Sequence, residues 1–407
     1  MSEQLTALLG LPGVQVLSMS ERGDELELSV ELGSVPYGCP RCASTSIELK
    51  ERALVRVRDL AIGARRTTLA WRKRRYRCRA CRRSFSEAHT ELPARQRVSA
   101  RFRRELFRYV CGGAAHLEVA RLEQTSRYQV VRAFQLGSER VLANQAWPPA
   151  RRLCIDEAAH RRGSKRLVTV VCDPDRRCVV EVLEGRDRRT LERFLYALPE
   201  PQRQALEAVS IDPAFAYREA LRTALPGVPI VLDPFHLVRG ANRALDTVRR
   251  ERQRFRRRQR PVSSEQRSGG FRPHLWHARR RLLKGRERLT EQQRRSLCEL
   301  FQREPLLAEA WGLKERFRAI YLAHDRAEAE RRLQAFEAAV ERAAIPSFSA
   351  FANGLQSWRE ELLAYFDQPT TNGYAEGVIN KIKVIKRRAY GLPSFDSFRE
   401  RILVACG

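Results

Sequence analysis

Five short apolar runs between residues 151 and 233 constrain this chain more than any other feature. They cover residues 153–155, 167–172, 178–183, 208–211 and 228–232. Each is short and rich in Val, Ile or Leu, so each reads as a strand. Asp173-Pro174-Asp175 ends the second run and Gly185 ends the third, which marks turns. Two hairpin connections in a row imply three antiparallel strands. Leu191, Phe194, Leu195 and Leu198 then share one helical face. A second helix, around 215–225, separates the fourth strand from the fifth.

Three strands, a helix, then strand–helix–strand is the order of a ribonuclease-H-like sheet. Asp156 follows the first run directly and Asp212 follows the fourth. An acid at a strand end is exposed at the rim of a sheet, where sites are often assembled. A lone aspartate there more often starts a turn, but this order places the two strands side by side. Asp233 also ends a strand and stands as a rival to Asp212, with His236 close behind it. Glu157 alternates to the opposite side of an extended strand from Asp156. Asp173 and Asp175 read as hairpin-turn residues.

A third carboxylate lies on a helix starting near residue 372. Asn372, Glu376 and Asn380 recur every four residues, and Lys383 and Arg387 continue that face. Val378, Ile382 and Ile385 form another face suited to a core. Three carboxylates are what two Mg²⁺ (or Mn²⁺) ions need, because such ions prefer oxygen ligands. A pair of ions roughly 3.5–4 Å apart stabilises both the attacking and the leaving oxygen of a displacement at phosphorus.

Residues 1–36 read as a β-rich start, with Leu26, Leu28, Val30 and Leu32 in period-two alternation. Cys39-Pro-Arg-Cys42 and Cys78-Arg-Ala-Cys81 follow. Two such knuckles complete a tetrahedral site for one structural Zn²⁺. The 35 residues between them are more than usual for such pairs, and Leu54, Val55, Val57, Leu69 and Trp71 supply ribbon strands. Phe102, Leu106 and Val110 then form a helical stripe. The stretch 116–135 fits a helix-turn-helix, with Ala120 at the contact, Val130 as anchor and Ser126 as cap. Arg127, Tyr128, Gln129 and Arg132 would face a DNA groove, although the turn lacks a glycine. Trp147-Pro148-Pro149 reads as a linker. From residue 234 to about 365 the spacing is helical. Ser263-Ser264 and Gly269-Gly270 suggest a loop within that stretch. Tyr390-Gly391-Leu392-Pro393 is a stop, before a final amphipathic helix.

The formal net charge is +29, which makes a polyanion the first partner to consider. The charge is concentrated. Residues 50–104 hold 19 Lys/Arg against 4 Asp/Glu, and residues 249–290 hold 16 against 3. Two basic blocks imply two nucleic-acid contacts, both weakened by salt. No apolar run reaches the roughly 18 residues of a membrane span. No secretory leader is recognisable, so a cytoplasmic, nucleoid-associated location is expected.

These features together resemble the bacterial insertion-sequence transposases of the DDE superfamily, in the group with an N-terminal zinc ribbon. The likeness rests on the two CxxC pairs, Ile155-Asp156-Glu157, Ser210-Ile211-Asp212, and Asp233-Pro-Phe-His236 with Asn242 and Asp246. Its most specific piece is Asn372-Gly-Tyr-Ala-Glu376 with Asn380, Lys383, Lys386-Arg387 and Tyr390-Gly391. The resemblance implies an α/β ribonuclease-H-like catalytic domain whose catalytic and metal-binding acids are Asp156, Asp212 and Glu376. It also implies an all-helical insertion between the second and third acids. The expected division is a zinc ribbon over 1–92, a helix-turn-helix domain over 93–147, a catalytic domain over 148–239 and 366–407, and the insertion over 240–365. DNA contacts are expected from Arg127, Gln129, Arg132, Lys383 and Arg387. Asp233, His236, Asn372 and Asn380 are expected to support the acids. The implied activity is cleavage and strand transfer at terminal inverted repeats, by at least a homodimer on DNA. A DNA-binding regulator and a nuclease without strand transfer remain alternatives.

Overall fold

The computed structural model describes residues 2–63, 65–93, 97–144, 148–160, 167–258, 274–390, 392 and 394–407. Trp147, Gly391, Pro393 and the Ser263–Gly270 loop expectation lie outside the described residues. The chain divides into two compact units, residues 1–145 with 385–391, and residues 146–384 with 392–407.

The first unit opens with a helix, α1 (Ser2–Leu9), where the sequence suggested only strands. Leu5 and Leu9 lie one turn apart and both join the core of the following sheet, so tertiary packing secures an otherwise marginal eight-residue helix. That sheet contains β1 (Val14–Arg22), β2 (Glu25–Leu32), β3 (Ile47–Arg58), β4 (Arg66–Cys78) and β5 (Ser84–Ser86). Its order is β1-β2-β4-β3, with β5 paired to β4. Leu26, Leu28, Val30 and Leu32 of β2 all point inward, as their alternation requires. Strands β3 and β4 are 12 and 13 residues long and pair with Ile47 opposite Cys78. One long hairpin therefore fills the gap between the CxxC pairs and returns the second pair beside the first.

Three helices complete this unit: α2 (Ala100–Cys111), α3 (His116–Leu122) and α4 (Arg127–Ala143). Phe102, Leu106 and Val110 pack with Val119, Ala120, Val130 and Phe134 in a separate small core. Ser99 caps α2, its Oγ accepting from the Phe102 N–H at 3.1 Å and donating to Asp59 at 2.6 Å. Buried Asp59 also pairs with Arg101, so the helices are tied to the ribbon. Ser126 caps α4 through the Gln129 N–H at 3.2 Å. Gln124 adopts φ of 47° in the turn before α4, the left-handed conformation a glycine would otherwise supply.

The second unit holds β6 (Arg152–Ala159), β7 (Leu167–Asp173), β8 (Cys178–Glu184), α5 (Arg188–Ala197), α6 (Glu200–Gln204), β9 (Ala208–Ile211), α7 (Phe215–Ala224) and β10 (Ile230–Leu232). The sheet order is β10-β9-β6-β7-β8. Strands β6, β7 and β8 are antiparallel neighbours, while β9 runs parallel to both β6 and β10. Ile155 pairs with Ile211, and Ile211 with Leu232. The residues that follow these three are Asp156, Asp212 and Asp233, so the register aligns three aspartates in one row. Strands β9 and β10 end there, but β6 runs on to Ala159 paired with β7, so Asp156 does not end its strand as the sequence suggested.

Helices follow: α8 (Pro234–Arg258), α9 (His274–Leu283), α10 (Glu291–Arg303), α11 (Pro305–Ile320), α12 (Arg326–Ala343), α13 (Pro346–Gln356) and α14 (Arg359–Leu363). Leu153, Ile155, Val209, Ile211 and Leu232 belong to the same core cluster as Leu245, Phe317, Phe336, Phe348 and Leu362. The helical insertion is therefore continuous with one face of the sheet. Helix α15 (Gly373–Arg388) and helix α16 (Phe395–Cys406) close the chain. The latter packs on β8, where Arg399 Nε donates to Glu181 at 2.6 Å.

Candidate active site

Strand β6 ends its apolar stretch on Asp156, which is buried and whose Oδ1 accepts from the Glu157 N–H at 2.6 Å. Burial, then the charge of Asp212, push the Asp156 carboxyl up to about 6. Glu157 is half-buried and pairs with Arg186 instead. Asp212 lies one residue past β9. It accepts from the Asn372 amide at 3.1 Å and lies 2.8 Å from His236 Nδ1. That same nitrogen lies 3.0 Å from Asp233 Oδ2. Hydrogen bonds to Asp212 and Asp233 raise the imidazole to about 10, so it is an imidazolium at neutral pH.

Asp233 serves the ends of two helices. Its Oδ2 accepts the His236 backbone N–H at 3.1 Å, capping α8, and its Oδ1 accepts the Asn372 N–H at 3.1 Å. Asn372 sits just before α15 and donates through Nδ2 to the Ile155 carbonyl at 3.0 Å as well as to Asp212. Its own carbonyl accepts the Glu376 N–H at 2.9 Å. One side chain thus ties the start of α15 to β6 and the end of β9, while its backbone binds the end of β10.

Glu376 occupies the first turn of α15, where the helix dipole favours an anion. It is exposed. Asn380, Lys383 and Arg387 are also exposed on that helix, and Lys383 Nζ donates to Asn380 Oδ1 at 3.2 Å. Ala375, Val378, Ile379, Ile382 and Ile385 form its buried face. The structure therefore joins Asp212, Asp233, His236 and Asn372 in one hydrogen-bonded network, which reaches the Ile155 carbonyl just before Asp156. Glu376 stands one helical turn from it.

Ligand atoms of Asp212, Asp233 and His236 lie within 4.8 Å of one another. The Asp212 and Asp233 carboxylates share the His236 imidazolium, and the buried Asp156 carboxyl feels the charge of Asp212. The Asn372 Oδ1 is buried with no hydrogen-bond partner among the described residues. An excess of negative charge and an unused acceptor fit a divalent cation bound by oxygen. The sequence pointed to Asp233 and His236 only as neighbours. Their direct bridge to Asp212 depends on α8 starting at Pro234, immediately after the strand-end acid.

The other cluster is sulfur. Cys39 Sγ lies 3.7 Å from Cys81 Sγ, and Cys42 Sγ lies 3.6 Å from Cys78 Sγ. All four sulfurs fall within 4.8 Å of one another. A tetrahedral zinc with Zn–S near 2.3 Å needs sulfurs about 3.8 Å apart. Each knuckle is turned by a residue with positive φ after its second cysteine, Ala43 at 57° and Arg82 at 56°. This conformation aims backbone N–H groups at the sulfurs. The Arg41 N–H holds Cys39 below the usual thiol range, and the Cys81 N–H holds Cys78 down to about 7. Cys42, which faces the Cys78 sulfur, is pushed up to about 11, so the metal-free cluster holds its negative charge on Cys39 and Cys78.

In the helix-turn-helix segment, Arg127, Tyr128 and Arg132 are exposed along α4, and Gln129 is half-buried. Val130, Ala133 and Phe134 anchor the opposite face.

A sheet of this order, with aspartates in one row on β6 and just past β9 and β10, is that of a ribonuclease-H-like domain. Residues 153–402 match a family described as transposase, of the ISL3 type within the DDE group. Residues 36–81 match the zinc-finger of transposases IS204/IS1001/IS1096/IS1165. The transposase for insertion sequence element IS1001 from Bordetella parapertussis is 30% identical over 380 residues, 90% of this chain and 88% of the relative. The transposase for insertion sequence element IS1557 from Mycobacterium tuberculosis is 30% identical over 256 residues, 60% of this chain and 57% of the relative. The chain belongs to the ISL3-type family of DDE transposases. It is accordingly a DNA-binding enzyme with a structural zinc ribbon, and no described helix is long and apolar enough to cross a membrane.

Proposed function

We propose that this transposase cuts and rejoins DNA at the ends of an insertion sequence, with Asp156, Asp212 and Glu376 as its catalytic acids. The observation that carries the reading is the strand register: Ile155, Ile211 and Leu232 lie in one row, each followed by an aspartate. Asn372 draws the helix bearing Glu376 to that row. Asp156, Asp212 and Glu376 would hold two Mg²⁺ (or Mn²⁺) ions. Such ions, when bound, supply Lewis-acid stabilisation of the attacking and leaving oxygens of an in-line displacement.

The chain's own residues do the positioning. Asn372 orients the Asp212 carboxylate, and the α8 N-terminus, capped by Asp233, places His236 against it. Asp233 is engaged by two backbone N–H groups, which favours Asp212 as the catalytic second acid and Asp233 as its support. Lys383 donates to Asn380 on the exposed face of α15, where Lys383 and Arg387 would meet phosphates. Arg127, Gln129 and Arg132 of α4 would read the terminal repeat, because base contacts specify where phosphate contacts only position. Function divides accordingly: residues 1–92 and 93–147 recognise DNA, 148–239 with 366–407 perform chemistry, and 240–365 grip DNA. Two ends must be brought together, so the working form is at least a homodimer on DNA.

The test is joining of a labelled, pre-cut terminal-repeat oligonucleotide to target DNA with Mg²⁺ or Mn²⁺. Joining should depend on Glu376, with Glu376→Ala abolishing it while DNA binding persists. Joining that survives this substitution would refute the three-acid assignment.

A further inference from the structure

A cavity of about 350 Å³ lies in the helical insertion, lined by Arg249, Arg250, Gln253, Arg254, Trp276 and Arg279. Its wall is built around one buried carboxylate. Asp246 Oδ1 accepts from Arg249 Nε at 2.7 Å, Arg250 Nε lies 2.9 Å from Oδ2, and Arg279 Nε lies 3.4 Å from Oδ1. Arg249 is almost wholly buried and also donates to Gln253 Oε1 at 2.9 Å. Three guanidiniums, those of Arg249, Arg250 and Arg279, are thus held in place before any ligand arrives. Three guanidiniums share one carboxylate and Arg254 adds a fourth to the lining, so the cavity keeps a surplus of positive charge. Arg250, Arg254 and Arg279 remain exposed at its mouth.

Trp276 completes the cavity. It is 50% exposed, while Trp71 and Trp358 are buried and Trp311 is half-buried. Among the described residues it is the one exposed tryptophan. Half of the indole is open to solvent on a strongly cationic surface, while Leu275 and Ala278 of the same helix are buried in the core. A fixed aromatic face ringed by arginines suits a nucleotide: the base stacks on the ring and the phosphates pair with the guanidiniums. In a duplex both faces of each base are covered by neighbours. Only an unpaired nucleotide offers a free face.

We propose that this cavity binds an unpaired nucleotide of DNA, with its base against Trp276 and its phosphates on Arg250, Arg254 and Arg279. The proposal rests on the transposase reading for the identity of the polymer. The cavity is remote from the acids: Arg254 lies roughly 27 Å along α8 from His236 by helical rise. It therefore holds a displaced base, or a single-stranded end, away from the reacting phosphate. An enzyme that opens DNA ends produces such bases, and a site that captures them stabilises the distorted strand.

The experiment measures binding of the full chain to duplexes of one sequence, fully paired or with a short unpaired extension, without Mg²⁺ or Mn²⁺. A fluorescent purine analogue in the extension reports stacking. The wild type should prefer the extended duplex by about tenfold, the scale of one base–aromatic stack. Trp276→Ala should erase that preference and leave affinity for the paired duplex unchanged. Trp276→Phe should retain most of it, which separates stacking from damage to the fold. Arg254→Gln should weaken binding of the extended duplex and lower its salt dependence by about one counterion, with the paired duplex unchanged. A preference that survives Trp276→Ala, or an equal loss on both duplexes, would overturn the proposal while leaving the proposed function standing. Failure to bind either duplex would overturn both.

Discussion

Replacing Asp156 by asparagine should stabilise the metal-free protein while destroying its activity. The Asp156 carboxyl is raised from 3.8 to about 6, first by burial and then by Asp212. That rise corresponds to at most about 3 kcal/mol of destabilisation when the group is ionised. The folded-state value lies above the unfolded one, so the native state binds the proton more tightly. The cost is absent at acid pH near 4, develops as pH rises through 6, and is complete above it. Asparagine keeps the oxygen that accepts from the Glu157 N–H and removes the charge. Scanning calorimetry without divalent cations should find the catalytic transition of Asp156→Asn roughly 5–10 °C higher at pH 8. The gap should shrink below pH 6 and vanish near pH 4. Mg²⁺ should raise the melting temperature of the wild type more than that of the variant. Strand transfer should fall by roughly a thousandfold or more. Equal melting temperatures at pH 8, or a less stable variant, would refute the idea that Asp156 is an electrostatically strained ligand.

Three further outcomes follow from other parts of the molecule. Cys78→Ser should remove tightly bound zinc, as read by metal analysis, and lower the melting temperature of the first unit, because such sites contribute folding energy directly. Asn372→Ala should leave the Ile155 carbonyl unpaired in a buried site and cost about 1–3 kcal/mol in denaturant unfolding, while lowering the rate of joining at saturating Mg²⁺. Gly137→Ala should destabilise the helix-turn-helix by about 1–3 kcal/mol, since a Cβ there meets the Phe107 ring at 2.3 Å. Thermal melting by circular dichroism would detect it.

Much of this was legible in the sequence because it is local. Strand length, CxxC spacing, the Ser126 cap and the stripe of Phe102, Leu106 and Val110 each depend on neighbours within a few residues. The three aspartates were visible for the same reason. What joins them is non-local. Asn372 bonds to Ile155 and Asp212 across 217 and 160 residues of chain, and no spacing rule signals such a contact. The His236 bridge was also hidden, since α8 starts immediately after Asp233 and swings the imidazole between two carboxylates. Gln124, Ala43 and Arg82 occupy left-handed positions without being glycine, so the turns they form carried a weak signal. The long β3–β4 hairpin reconciles an unusual CxxC separation with an ordinary four-sulfur cluster. Trp276 carried no signal in the sequence, because its meaning depends on the Asp246-centred arginines around it.

The most direct test of the central claim is anomalous diffraction from the protein bound to DNA ends and soaked with Mn²⁺. Manganese peaks are expected between Asp156, Asp212 and Glu376, with Asp233 and His236 hydrogen-bonded behind them. A peak held by Asp212, Asp233 and His236, with Asp156 and Glu376 unligated, would contradict it.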